Sequence, residues 1–124
     1  MKTKFLIIAA VAISLAFAGC YYDKSELVYP AQTACDTANL KYSTDITGIL
    51  ATNCYACHSG SAQAGGSVKL DSYTALTTVV NNGKLVLAIT HSPGASAMPK
   101  NMPKLSDCDI NRIKAWINQG AQNN

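Results

Sequence analysis

The sequence predicts a small all-α domain of three to four short helices, and three observations lead there. Apolar residues recur at helical spacing in two places, Ile46, Ile49 and Leu50 in the middle of the chain and Ile110, Ile113 and Ile117 near its end. Ser and Asp residues stand where helix starts need acceptors, and Gly83 and Gly120 stand where helices stop. No credible strand pattern accompanies them.

Taken in order, the first helix is expected from Ser43 or Thr44 to about Asn53, followed directly by Cys54-Tyr55-Ala56-Cys57-His58. Ser59 to Val68 (SGSAQAGGSV) reads as a loop. Asp71 or Ser72 caps a second helix through about Val80, which Asn81-Asn82-Gly83 breaks, and Lys84 to Thr90 forms another short one. His91 to Lys104 (HSPGASAMPKNMPK) carries Pro93, Pro99 and Pro103, which exclude a regular helix or central strand and predict a covering strap. The last helix is the best marked. Ser106 caps it, Asp109 completes a capping-box-like pair, and Asp107 and Asp109 suit the positive helix start. Trp116 widens its apolar stripe and Gly120 ends it. The core is thin, about a dozen large apolar side chains for about eighty residues, which predicts that something besides polypeptide fills the centre.

Ahead of this domain, Lys2 and Lys4 precede an apolar run of 14 residues, Phe5 to Ala18. That is short of the roughly 20 residues a membrane-spanning helix needs, and it reads as a secretory signal, residues 1–19. Its end, Phe17-Ala18-Gly19-Cys20, resembles the lipobox of bacterial lipoproteins. The resemblance implies cleavage before Cys20, a diacylglycerol thioether on that residue and acylation of the new amine. Two or more chains anchor stably, because each buried methylene adds about 0.8 kcal/mol. Tyr21, where that family places Asp for inner-membrane retention, favours the outer membrane. The expected organisation is therefore a signal peptide (1–19), a lipidated tether (20–41) and a domain (42–124), in the bacterial cell envelope and facing the periplasm.

Loss of Lys2 and Lys4 takes the ten basic residues to eight against seven acidic ones, a formal +1. With no basic run, nucleic acid has no electrostatic footprint. Of the five cysteines, Cys20 goes to lipid and Cys54 and Cys57 to the central motif. Cys35 and Cys108 remain, and in an exported chain they are expected to pair, two buried free thiols being the alternative.

The motif carries the chemistry. Thiols at Cys54 and Cys57 can add across the two vinyl groups of a haem, and His58 then presents a ring nitrogen to the iron, so Cys-x-x-Cys-His reads as a c-type haem attachment site. A flat porphyrin would also supply the missing core. A dithiol redox pair usually opens a helix in a βαβ setting, and zinc would need a fourth ligand and usually a second close pair. Neither is evident. In the strap, Met98 and Met102 each precede a proline, which holds the residue before it extended. Either thioether, opposite histidine, raises the reduction potential and suits electron transfer, the other Met then being ordinary packing. His91 is a third possible ligand, or simply a loop histidine at the strap's hinge.

Together, Cys54-x-x-Cys57-His58 and AMPKNMPKLSDCDINRIKAWINQGA resemble the small class I c-type cytochromes, and the ending is similar to monohaem cytochrome domains of bacterial lipoproteins and planctomycete-type cytochromes. The likeness covers about Tyr42 to Ala121. It implies a cytochrome c-like fold around one covalent haem c on Cys54 and Cys57, with His58 as proximal ligand. Met98 matches the ligating Met, because the family leaves a short spacer before the Leu-Ser that starts the last helix, here Leu105-Ser106. It also implies packing of the first helix on the last, Ile46, Ile49 and Leu50 against Ile113, Trp116 and Ile117. Function follows as an expectation: a lipid-anchored electron carrier exchanging single electrons with redox partner proteins, with no small-molecule substrate required. Lys69, Lys84, Lys100 and Lys104 could steer an acidic partner, or form a solvated face. A haem peroxidase or ligand sensor with an open distal site is the alternative, and a copper- or thiol-handling lipoprotein a more distant one.

Overall fold

A computed structural model describes residues 35–124; the signal segment, Cys20 and the tether as far as residue 34 lie outside the described residues. The described residues form five helices and no strand. A π-helical turn, Tyr42–Ile46, leads into α1 (Thr47–Asn53); α2 (Tyr55–His58), α3 (Tyr73–Asn81), α4 (Lys84–Ile89) and α5 (Asp107–Asn118) follow. The fifth helix, beyond the three to four expected, is the motif's own turn, split from α1 at Cys54, where φ is −127°.

Most boundaries follow the caps. The Ser72 hydroxyl accepts the Ala75 amide at 3.3 Å to open α3. Ser106 accepts the Asp109 amide at 3.0 Å and donates to the Asp109 carboxylate at 2.8 Å. Gly83 sits at φ +72°, the left-handed conformation that lets α4 start with only two residues between it and α3. The first helix departs from expectation. It opens at Tyr42, not at Ser43 or Thr44, because the Lys41 carbonyl accepts the amides of both Asp45 and Ile46, at 2.9 and 3.2 Å. The Asp45 carboxylate reaches back to the Lys41 amide at 2.8 Å and pairs with Arg112 of α5. The Lys41 amide first, and Arg112 with it, hold the Asp45 carboxyl below the usual carboxylate range.

The core lies where the first helical segment meets α5. Ile46, Leu50, Leu76, Ile113 and Trp116 are fully buried, each such side chain stabilising the fold by about 1.5–3 kcal/mol. Tyr42 stacks on Trp116 with ring centroids 6.0 Å apart and meets Tyr73 edge-on at 5.2 Å. The Trp116 indole donates to the Gln122 carbonyl at 3.0 Å and the Tyr73 hydroxyl to the Ala121 carbonyl at 2.9 Å, so the residues after Gly120 fold back and seal the cluster. This side of the interior is closed by polypeptide alone. Val79 and Val80 on α3, Val86 and Leu87 on α4, Met98 on the strap and Ile117 on α5 are among the apolar side chains left half-buried.

The expected domain start at Tyr42 needs correction. Leu40 is buried in the core, its amide donates to the Gln119 side chain at 3.3 Å, and Gln119 donates in turn to the Thr37 carbonyl at 2.8 Å. Residues 35–41 therefore pack as part of the domain; their polar composition hid a segment whose backbone is satisfied by a helix far away in sequence. Cys35 is bonded to Cys108 in the first turn of α5, with Cα atoms 5.4 Å apart and a sequence separation of 73. A loop of that length is worth about 4 kcal/mol in the chain-entropy account and often less in practice. Replacing both cysteines by serine should lower unfolding stability by about 2–4 kcal/mol in a denaturant titration, and an unchanged midpoint would show that the link does not hold the native domain.

Candidate functional site

Cys54 ends one helix and begins the next. Its amide donates to the Leu50 carbonyl at 2.8 Å, closing α1, while its own carbonyl accepts the amides of Cys57 and His58 at 3.1 and 2.9 Å. The five motif residues thus form one tight turn, and three reactive side chains issue from it. Cys54 is half-buried against the core, Cys57 is exposed and His58 is half-buried. Neither of the two motif cysteines is in a disulfide. Burial pushes the Cys54 thiol up to about 11, so it is a neutral thiol at neutral pH. Dithiol redox sites work the other way, by a lowered thiol pKa.

The loop after the motif folds back on it. Ala62 accepts the amides of Gly65 and Ser67 at 3.1 and 2.8 Å, and Leu70 donates to the His58 carbonyl at 2.8 Å. This return brings the Val68 carbonyl to 2.8 Å from His58 Nδ1. A carbonyl only accepts, so Nδ1 carries the hydrogen, and in the neutral ring Nε2 is the nitrogen with the lone pair. Gly65 makes the approach possible: a Cβ there would stand 2.5 Å from His58 Nδ1 and 2.6 Å from the Cys57 carbonyl oxygen. Neither Gly65 nor Val68 was singled out from the sequence. The Gly65-Gly66 pair was the available signal, since adjacent glycines mark a close backbone approach.

The strap runs from α4 to α5. The Met98 amide donates to the Ala88 carbonyl at 3.0 Å, and the Met98 carbonyl meets His91 Nε2 at 3.1 Å. Its side chain belongs to a half-buried residue. Met102 is 63% exposed, and its amide makes only a long 3.3 Å bond to the Pro99 carbonyl. The two methionines, alike in local sequence, are thus held very differently. Of the lysines considered for steering, Lys84 donates to the Gly94 carbonyl at 3.0 Å and Lys104 pairs with Asp107 at 2.6 Å. Lys69 and Lys100 are exposed. Two clefts open on the described surface, one of about 340 Å³ between α1 and α5 and one of about 560 Å³ beside Trp116. Neither is walled by Cys54, Cys57 or His58.

Residues 44–117 match the family model described as cytochrome c oxidase, cbb3-type, subunit III. The match runs from the first helical turn almost to the end of α5, well over half of the chain. This chain belongs to that family. No curated protein and no solved structure matches it. The domain is a c-type cytochrome domain: it binds haem c covalently and serves as an electron carrier toward redox partner proteins.

The residues present suit that group. A metal-bound imidazole normally gives its second nitrogen to a carbonyl or carboxylate, which fixes its orientation and makes it a better ligand. His58 has such a partner before any metal is considered. Two cysteines on the same turn supply the sulfurs.

Gly65→Ala is the direct test of this cradle. The added methyl should force His58 or the Val68 carbonyl to move, costing about 1–3 kcal/mol and shifting the visible spectrum of the loaded cytochrome domain. Gly48→Ala is the control, since nothing lies within 4 Å of a Cβ there and helical Gly→Ala is favourable. Equal behaviour of the two variants would remove Gly65 from the site.

Proposed function

We propose that this chain is a monohaem c-type cytochrome, lipid-anchored through Cys20, that carries single electrons between redox partners on the periplasmic side of a bacterial envelope. In this reading Cys54 and Cys57 hold the haem through thioethers, His58 is the proximal ligand and Met98 the distal one. The observation that carries it is the 2.8 Å contact between His58 Nδ1 and the Val68 carbonyl, which leaves Nε2 as the one free nitrogen on the motif's own turn. When bound, the haem supplies one-electron exchange between ferrous and ferric iron.

The chain's own residues do the rest. The turn from Leu50 to His58 keeps both thiols and the imidazole on one short, hydrogen-bonded stretch, so attachment orders little additional backbone. Gly65 and Val68 fix which nitrogen of His58 is available. Half-buried Val79, Val80, Val86 and Leu87 offer apolar surface for a flat cofactor and would keep water from it. Between the methionines, Met98 is favoured, because both of its backbone groups are bonded and its side chain is partly covered. Met102 would have to withdraw a largely exposed side chain first. His91 is occupied, its Nε2 lying on the Met98 carbonyl. The Cys35–Cys108 link belongs to the same picture, as a bond stable in an oxidising compartment.

Protein matured in a host competent for c-type cytochromes should keep its haem after denaturation, as read by the optical spectrum of the reduced, unfolded chain; Cys54→Ala with Cys57→Ala should release it. Colourless, folded wild-type protein would end this reading. The far-red Met–iron band should vanish in Met98→Ala and persist in Met102→Ala, and the reverse pattern would transfer the ligand role to Met102. Separately, full-length protein expressed in bacteria should sediment with membranes and Cys20→Ser should abolish lipid labelling. Wild-type protein that takes up no labelled fatty acid would remove the anchor.

A further inference from the structure

At the start of the strap, His91 makes a contact that a hinge residue does not need. It adopts φ +55°, the left-handed conformation, as Ala62, Ser67 and Ala121 also do. What sets it apart is its ring: Nε2 stands 3.1 Å from the Met98 carbonyl, seven residues on. The His91 amide donates to the Ala88 carbonyl at 3.2 Å, and the same carbonyl receives the Met98 amide at 3.0 Å. His91 and Met98 are therefore closed into one hydrogen-bonded ring at the C-terminal end of α4, the Met98 amide fixed by Ala88 and its carbonyl by the imidazole.

We propose that His91 is a positioning residue for the distal ligand: its Nε2–H···O bond to Met98 latches the strap to α4 and keeps the Met98 thioether on the iron. This rests on the reading of Met98 as that ligand. The rest of the strap needs such a latch. Between Ser92 and Met98 lie Pro93 and Gly94, and the strap's first residues are tied to α4 by the Ser92 amide to the Leu87 carbonyl at 2.9 Å and Lys84 Nζ to the Gly94 carbonyl at 3.0 Å. At the far side Met98 is held by its amide to the Ala88 carbonyl at 3.0 Å and by its carbonyl to His91 Nε2 at 3.1 Å, so loss of the His91 bond leaves one tie in place of two. A neutral hydrogen bond of this kind shifts an open–closed equilibrium by a few-fold to about tenfold.

Imidazole must displace the distal thioether to bind ferric haem, so its apparent affinity reads how often the strap opens. His91→Asn suits the left-handed backbone but is too short to reach Met98, whereas His91→Gln places an amide N–H near the position of Nε2. The expected result is imidazole binding about three- to tenfold tighter in His91→Asn, near wild-type binding in His91→Gln, and the far-red band present in both without imidazole. Should His91→Asn fail to mature, His91→Gly, which the same φ favours, gives the readout. If Met98→Ala removes the far-red band while the Asn or Gly variant binds imidazole as wild type does, or Gln behaves like Asn, the latch is wrong. If Met98→Ala keeps the band, the ligand assignment itself fails and the latch with it.

Discussion

The short stretch from Cys54 to His58 is geometrically constrained from two directions, and the functional half of the domain is arranged around that fact. Backward, the Cys54 amide is still part of α1, so the motif inherits the position of a helix whose Ile49 and Leu50 are buried in the core. Forward, the His58 ring must meet the Val68 carbonyl at 2.8 Å, which obliges ten residues of loop to return on the turn they have just left. That return works only because Gly65 has no side chain. The contact fixes the tautomer of His58 in advance, and a ligand whose proton is already placed does not need to reorganise when it binds a metal.

What the sequence disclosed and what it hid divide along range. Caps are local, so Ser72, Ser106 with Asp109, Gly83 and Gly120 could be placed from their immediate neighbours. The helical stripes of Ile46, Ile49 and Leu50 and of Ile110 and Ile113 were equally plain, because burial on one face leaves a period in the sequence. The hidden parts are contacts between distant residues with no period. Leu40 stands among polar neighbours and is buried because Gln119, 79 residues later, satisfies its amide. Val68 serves through its carbonyl, which every residue has, so no side-chain pattern could reveal it.

The two methionines make the same point at the site itself. Met98-Pro99 and Met102-Pro103 are interchangeable as dipeptides, and only a family spacing separated them. In the folded chain the difference is large. One methionine has both backbone groups bonded to α4 and to His91; the other is 63% exposed. Hydrogen bonds set two locally equal candidates apart: the Met98 amide is held by Ala88 of the six-residue helix Lys84–Ile89, whose Leu85 and Ile89 tie it into the core, and the Met98 carbonyl by His91 just beyond that helix.

An electron carrier has a mechanical requirement that a thinly cored domain meets only with help. The environment of the iron should change little between its two charge states, since each ångström of rearrangement adds to the barrier for transfer, and preorganised groups avoid that cost. Here the fixed body is α5 with the segments bound to it. Cys35 is bonded at its start, residues 37–40 are hydrogen-bonded at its end, and Arg112 pairs with Asp45 between them. The Trp116–Tyr42–Tyr73 cluster, sealed by the folded-back residues after Gly120, joins this body to the first helical turn and to α3. The motif turn hangs directly from it through α1, and the strap is attached at one remove, through α4. The proximal side of the site is thus held by the rigid core and the distal side by a few hydrogen bonds, so motion in the domain is expected to concentrate in the strap. With Met98 as the proposed distal ligand, that asymmetry would put the weight of coordination on the bonds to Met98, the one from the imidazole at position 91 among them.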